Sequence, residues 1–186
     1  METTKIVVPK KMKIKKKAKI DPIFSNNIIT RNISLSIKYV GDNIKEILEK
    51  HVVHNIEGKC IVEGYVKPGS SRVISYSSGY IQGAYVNFEV VIECLICLPV
   101  EGMHLECVAK NITESSGIRA ETEDEPSPVV IYIARDHYYK NDTYKKVKIG
   151  QKIKIKVIGQ RFELNDKYIS IIGELIDIKK KILVEK

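Results

Sequence analysis

The 186-residue sequence has no unbroken apolar stretch of the roughly 18 to 20 residues that a membrane-crossing helix needs. Its first twenty residues, METTKIVVPKKMKIKKKAKI, carry lysines throughout and no apolar run to serve as a secretory signal. The expectation is a soluble, intracellular protein. Phosphate-cradling patterns are also missing: there is neither GxGxxG nor GxxxxGK followed by Ser or Thr, and no HExxH zinc motif. Ser77-Ser78-Gly79 lacks the strand-to-helix elbow of a hydrolase nucleophile. No catalytic residue can be named, and no cofactor is called for.

Cysteine and histidine are scarce, at four each. Cys94 and Cys97 have CxxC spacing, but no second pair exists to complete a four-ligand zinc site. They lie within the apolar run FEVVIECLICLPV, whereas zinc and redox pairs usually sit on a turn or a helix start. The expectation is that these two, with Cys60 and Cys107, are buried structural thiols and that no metal is bound. His51, His54, His104 and His137 are scattered. His51 and His54 stand three apart on an expected helix, with no third ligand placed beside them.

What is present is charge, unevenly placed. Residues 1–20 hold eight Lys and one Glu, whereas residues 21–139 hold ten basic and sixteen acidic groups. Residues 140–186 return to thirteen basic against six acidic, for a net +8 overall. Two basic ends flank an acidic middle, as phosphate binding would use them. A solubilising or targeting arm and a solvated sheet face fit the same counts.

Periodicity divides the chain into two units. Ile33, Leu35 and Ile37 alternate with polar residues as a half-buried strand. Asp42 is the expected cap of a helix over 43–54, where Ile44, Ile47, Leu48 and Val52 recur at helical spacing. Cys60–Val66 reads as one strand and Pro68-Gly69 as a turn. Val73–Tyr76 is a further strand, and Tyr85–Leu98 a long one ending at Pro99. After it, strands are expected around Leu105–Ala109, Gly117–Arg119, Val129–Ala134, Lys152–Ile158 and Lys167–Leu175. A short helix or turn is expected within 135–144, and the acidic segment 121–128 is expected to be an exposed loop. The fold class is an α+β domain (strand, helix, meander) followed by an all-β five-stranded OB-type barrel. The expected divisions are a flexible basic arm (1–28), the α+β domain (29–99), the barrel (100–178) and an extension (179–186).

Two regions resemble known proteins. GQKIKIKVIGQRFELNDKYISIIGEL (150–175) is similar to the last two strands of the ribosomal-S1 kind of OB domain. ISLSI (33–37), the helix, IEGKCIVEGYV (56–66) and FEVVIECLICLPVEGM (88–103) resemble the first domain of a stalk subunit of multisubunit DNA-dependent RNA polymerases, the eukaryotic seventh-subunit and archaeal E-subunit family. GKCIVEGYVKPGS and SPVVIYIARDH are most similar to versions carried by large cytoplasmic DNA viruses. The likeness spans residues 30–178, and the lysine-rich arm lies outside it.

The resemblance implies a non-catalytic subunit that docks on the polymerase core (the largest subunits) near the clamp and pairs with a second stalk subunit. It also implies contact with nascent RNA through the barrel. Location would be the virion and cytoplasmic viral factory for a viral polymerase, or the nucleus for a cellular one. Carried onto this chain, docking falls on the loops at Gly58, Gly64, Tyr65, Pro68 and Gly69. RNA contact falls on Arg119, Arg135, His137, Tyr138, Lys154 and Lys156. S1-like barrels carry aromatics on their second and third strands; here the second reads Gly117-Ile118-Arg119-Ala120, so one stacking platform is missing and RNA binding is expected to be weak. Tyr132 reads equally as core. The competing assignment is a free-standing RNA-binding module, which has no need of the long apolar Tyr85–Leu98 strand.

Overall fold

The computed structural model describes residues 22–113, 117–135 and 142–178. Two β-layers share one continuous chain. In the first, β1 (Phe24–Ser36) leads through a 3-10 turn at Ile37–Tyr39 into helix α1 (Ile44–Ile56). Then come β2 (Cys60–Ile61), β3 (Gly64–Val66), β4 (Arg72–Tyr76), β5 (Tyr80–Gln82) and β6 (Tyr85–Cys97). Strand β6 is the spine: β1 pairs with one side of it over thirteen residues, while β3, β4 and β5 pair with the other.

Alternation along β6 explains the layer. Val86, Phe88, Val90, Ile92, Cys94 and Ile96 all face one side, where Leu48, Val52 and Ile56 of α1 join Ile29, Ile33 and Leu35 in one core. Full burial of each such aliphatic side chain is worth about 1.5–3 kcal/mol, which is what holds a thirteen-residue helix of mixed composition in place.

The second layer is a closed barrel of β7 (His104–Thr113), β8 (Gly117–Glu121), β9 (Val129–Ile133), β10 (Lys152–Arg161) and β11 (Ile169–Ile178). A short helix α2 (Asp142–Lys145) precedes β10. Around the barrel the order is β7-β8-β9-β11-β10, with β9 and β11 parallel and β10 closing on β7. This circuit is compatible with an OB-type barrel. Its interior is apolar, from Leu105 and Cys107 through Ile131 and Ile155 to Ile171.

Several expectations are corrected. The strand before α1 begins at Phe24, inside the span expected as a flexible arm, because residues 24–28 lie opposite Glu93–Cys97 of β6. Asn43, not Asp42, occupies the helix cap, without a side-chain hydrogen bond. Cys60–Val66 is two strands rather than one: Gly64, at φ +127°, turns the chain back into a hairpin. Strand β5 carried no recognisable apolar alternation, since all three of its residues are exposed. Among the described residues, no helix is long and apolar enough to cross a membrane.

The hairpin β2–β3 joins the layers. Tyr65 is 1% exposed and, with Cys60 and Cys97, belongs to the barrel's core cluster. Cys60 also pairs its backbone with the β10–β11 turn. Lys67 lies 4.6 Å over the Phe24 ring and 3.5 Å from the Asp124 carboxylate of the β8–β9 loop.

Candidate functional site

Two surfaces stand out. The first crosses the outside of the barrel. Asn111, Arg119, Tyr132, Ile172 and Gly159 are successive register partners on β7, β8, β9, β11 and β10. Tyr132 alternates with the buried Ile131 and Ile133, so its ring points outward and is 42% exposed. The reading of Tyr132 as core is therefore corrected. Arg119 stands opposite it, its guanidinium 3.0 Å from Glu121. Gly159 leaves open space where a side chain would be. A ring, a cation and a bare backbone patch in one row are the parts with which a base and its phosphate are held.

Of the other expected RNA-facing residues, Lys154 and Lys156 lie on β10, which pairs with β7 and β11 and not with β8 or β9. They share one face of that strand, and acidic groups accompany them. Lys154 lies 3.8 Å from Glu106, Lys152 lies 2.6 Å from Glu123, and Glu174 is the register partner of Lys156. The basic stripe is thus largely neutralised at its base. Arg135 is exposed just after β9, with its backbone against Gly117. His137 and Tyr138 lie outside the described residues.

The second surface is at the end of the first layer farthest along β6 from the barrel junction. Ser36 pairs with Tyr85, and the Ile37 N–H donates to the Ala84 carbonyl at 3.1 Å. This brings residues 37–40 beside residues 80–85. Tyr39 (63% exposed), Tyr80 (62%) and Ile81 (70%) lie exposed there, with Ile37, Val40 and Tyr85 beside them. Six large apolar side chains are exposed at this end of the layer, Ile81 on the face it shares with Val86 and Tyr80 and Tyr85 on the other, with Lys38 the only charged residue in either segment. So much exposed apolar area is unusual on a surface that meets only water.

The loops expected to dock are elsewhere. Gly64 and Tyr65 are buried at the junction, where a Cβ on Gly64 would fall 2.5 Å from the Cys97 carbonyl oxygen. Gly58 and Pro68 lie side by side, and Pro68-Gly69 forms an exposed turn closed by the Ser70 N–H on the Lys67 carbonyl at 3.3 Å. Glu57 fastens that turn, accepting from the N–H groups of Gly69 at 2.7 Å and Ser71 at 2.9 Å.

Cys94 and Cys97 differ by an odd number along a strand, so their thiols face opposite sides of the sheet, each in a different core cluster. Burial pushes Cys97 and Cys107 up to about 12 and Cys60 to about 11, keeping them as neutral thiols. Burial, then the neighbouring His54, lowers the pKa of His51. Among the described residues, no group of three or more potential ligands is placed to hold a metal ion.

No family model matches the chain. It is 25% identical over 151 residues to a putative DNA-directed RNA polymerase subunit, L376, of Acanthamoeba polyphaga mimivirus, covering 70% of this chain and 73% of that protein. It is 23% identical over 171 residues to DNA-directed RNA polymerase II subunit RPB7 of Glycine max, covering 83% and 93%. Subunit 7 of RNA polymerase II from Arabidopsis thaliana is 23% identical over 157 residues, covering 76% and 86%.

Proposed function

We propose, from a chain whose relatives are RNA polymerase subunits of the RPB7 type, that it is a non-catalytic stalk subunit of a DNA-directed RNA polymerase. It docks on the core by its first layer, pairs with a second stalk subunit and offers an S1-like barrel to emerging RNA. The observation that carries this reading is the exposure of Ile37, Tyr39, Val40, Tyr80, Ile81 and Tyr85 at one end of the first layer, with Lys38 the single charge among them. A free RNA-binding module has no use for such an end, whereas a subunit seated in a larger machine buries it. Tyr and Ile in this setting supply area at low ordering cost, as interface anchors do.

Docking by this end replaces the loop set Gly58, Gly64, Tyr65, Pro68 and Gly69 as the main contact. Pro68 and Gly69 form an exposed turn at the other end of β6, beside the barrel, while Gly64 and Tyr65 fix the barrel's position. RNA contact belongs to Tyr132, Arg119 and Ile172 and extends toward Arg135; Lys154 and Lys156 add long-range attraction. With one stacking ring and paired cations, affinity is low and falls with salt. The relative from mimivirus favours a viral polymerase, acting in the cytoplasmic factory and carried in the virion.

The test is affinity purification of the tagged full chain followed by mass spectrometry. Recovery of the two largest polymerase subunits supports the proposal; a ribosomal or exosome set in their place overturns it.

A further inference from the structure

Strand β1 is an edge strand of unusual kind. It is thirteen residues long, pairs with β6 without a single register shift, contains no Pro, and carries one charge, Arg31. Exposed edges of this length are normally blunted by Pro, Lys, a bulge or brevity. The opposite end of the sheet obeys that rule, since β2 is only two residues long. Arg31 is itself spoken for: its guanidinium is paired with Glu63 and donates to the Thr30 carbonyl at 3.0 Å.

Which groups of β1 face outward follows from β6. The Leu95 carbonyl accepts from Lys67 N–H at 2.9 Å, and the Glu89 carbonyl accepts from Ser77 N–H at 2.9 Å, so both residues turn their backbone away from β1. Their register partners, Asn26 and Asn32, are therefore non-hydrogen-bonded to β6 and turn their own N–H and C=O groups to the open edge. By the two-residue period Ile28, Thr30 and Ser34 do the same, the outward carbonyl of Thr30 already accepting from the Arg31 guanidinium. Among the described residues, no backbone hydrogen bond reaches that edge.

We infer that β1 is a strand-addition site, filled by an extended, uncharged segment of a second polypeptide of the polymerase assembly. The inference rests on the function proposed above. Only another strand matches a straight row of alternating donors and acceptors. The side chains define its character. Ile29, Ile33 and Leu35 face the helix layer together with Arg31, whose charge is paired with Glu63, while Asn26, Ile28, Thr30, Asn32 and Ser34 face the other way without charge. The incoming segment alternates apolar residues toward α1 with neutral residues opposite, and carries no run of acids or lysines. Position supports the same occupant. The edge ends at Ser36, where the exposed cluster at Ile37–Val40 begins, so one partner covers both without a gap.

The test is hydrogen exchange at single-residue resolution, on the isolated full chain and on the tagged chain within its purified polymerase. Strand addition slows the amides of Asn26, Ile28, Thr30, Asn32 and Ser34 by tenfold or more on assembly. Those of Ile29, Arg31 and Ile33, already bonded to β6, are unchanged. Polymerase subunits recovered without this even–odd pattern overturn strand addition and leave docking standing; failure to recover them overturns docking as well. Slowing of the same amides in the isolated chain as its concentration rises would overturn the chosen occupant in favour of a second copy. N32P, which removes only an outward N–H, keeps the fold and loses the pattern in the assembly. A pattern that survives N32P counts against the site.

Discussion

Cys60 and Asp166 hold the two layers together through their backbones: the Cys60 N–H donates to the Asp166 carbonyl at 2.8 Å. The Cys60 carbonyl in turn accepts from the neighbouring Asn165 N–H at 2.8 Å. Asn165 reaches this position in the left-handed region, at φ +69°, which asparagine tolerates better than most residues. The β10–β11 turn is thereby built into the first layer, and Tyr65 seals the join from within.

Gly64 is the position where this join is least tolerant. Gly64→Ala combines a φ of +127° with a Cβ 2.5 Å from the Cys97 carbonyl oxygen. It should cost on the order of 3 kcal/mol or more in urea unfolding. Gly69→Ala, with φ +70° and open space around it, should cost about 1–2 kcal/mol. Equal losses for the two would refute the close approach of β3 to β6.

Tyr132→Ala should weaken binding of a single-stranded oligouridylate by about tenfold at low salt, in line with roughly 1–3 kcal/mol per stacked base. Fluorescence anisotropy measures it, and thermal melting should be nearly unchanged because the ring is exposed. Lys156→Ala should lower affinity less while reducing its salt slope. An unaffected Tyr132→Ala variant would remove the outer row from RNA contact.

Ile81→Asp and Tyr39→Asp place a charge at the exposed end. Each should abolish co-purification of the large polymerase subunits while leaving the circular dichroism spectrum of the free chain intact. Retained co-purification would show that docking uses another surface.

The buried thiols make stability fall in alkali. Burial raises Cys97 and Cys107 from the ordinary value of 9.0 to about 12. Between these values the unfolded chain releases protons that the folded one keeps, so their contribution is complete below pH 9 and is lost as pH climbs toward 12. Each thiol should steepen the decline by up to about 1.4 kcal/mol per pH unit. A Cys107→Ala variant, compared from pH 8.5 to 10.5, should show a shallower decline than the parent. Parallel curves would refute the shift.

Much of the architecture was legible because alternation is a local signal. The run from Tyr85 to Cys97, the barrel strands and the break at Pro99 all follow from residues close in sequence. What escaped depends on distant partners. Phe24–Ile28 has little apolar pattern and becomes a strand only because β6 is long enough to reach it. Val62-Glu63-Gly64 hides a reversal inside what scans as one strand, the lone glycine being the visible clue. The orientation of Tyr132 was open because β9 is apolar on both faces, Val130 being buried as well as Ile131. The exposed end was missed since its halves, 37–40 and 80–85, are far apart in sequence and meet only through Ile37 and Ala84. The tyrosines flanking the Gly83 turn were the available hint.

Strand β6 also governs when the protein can acquire its shape. Four strands depend on it as a direct partner, yet it is the last element of its layer to leave the ribosome. The thirteen-residue pairing of β1 closes only when Cys97, the partner of Phe24, has emerged, although its far end meets Tyr85 much sooner. A nascent chain stalled before that point holds an incompletely paired β1, and is the form a chaperone would meet.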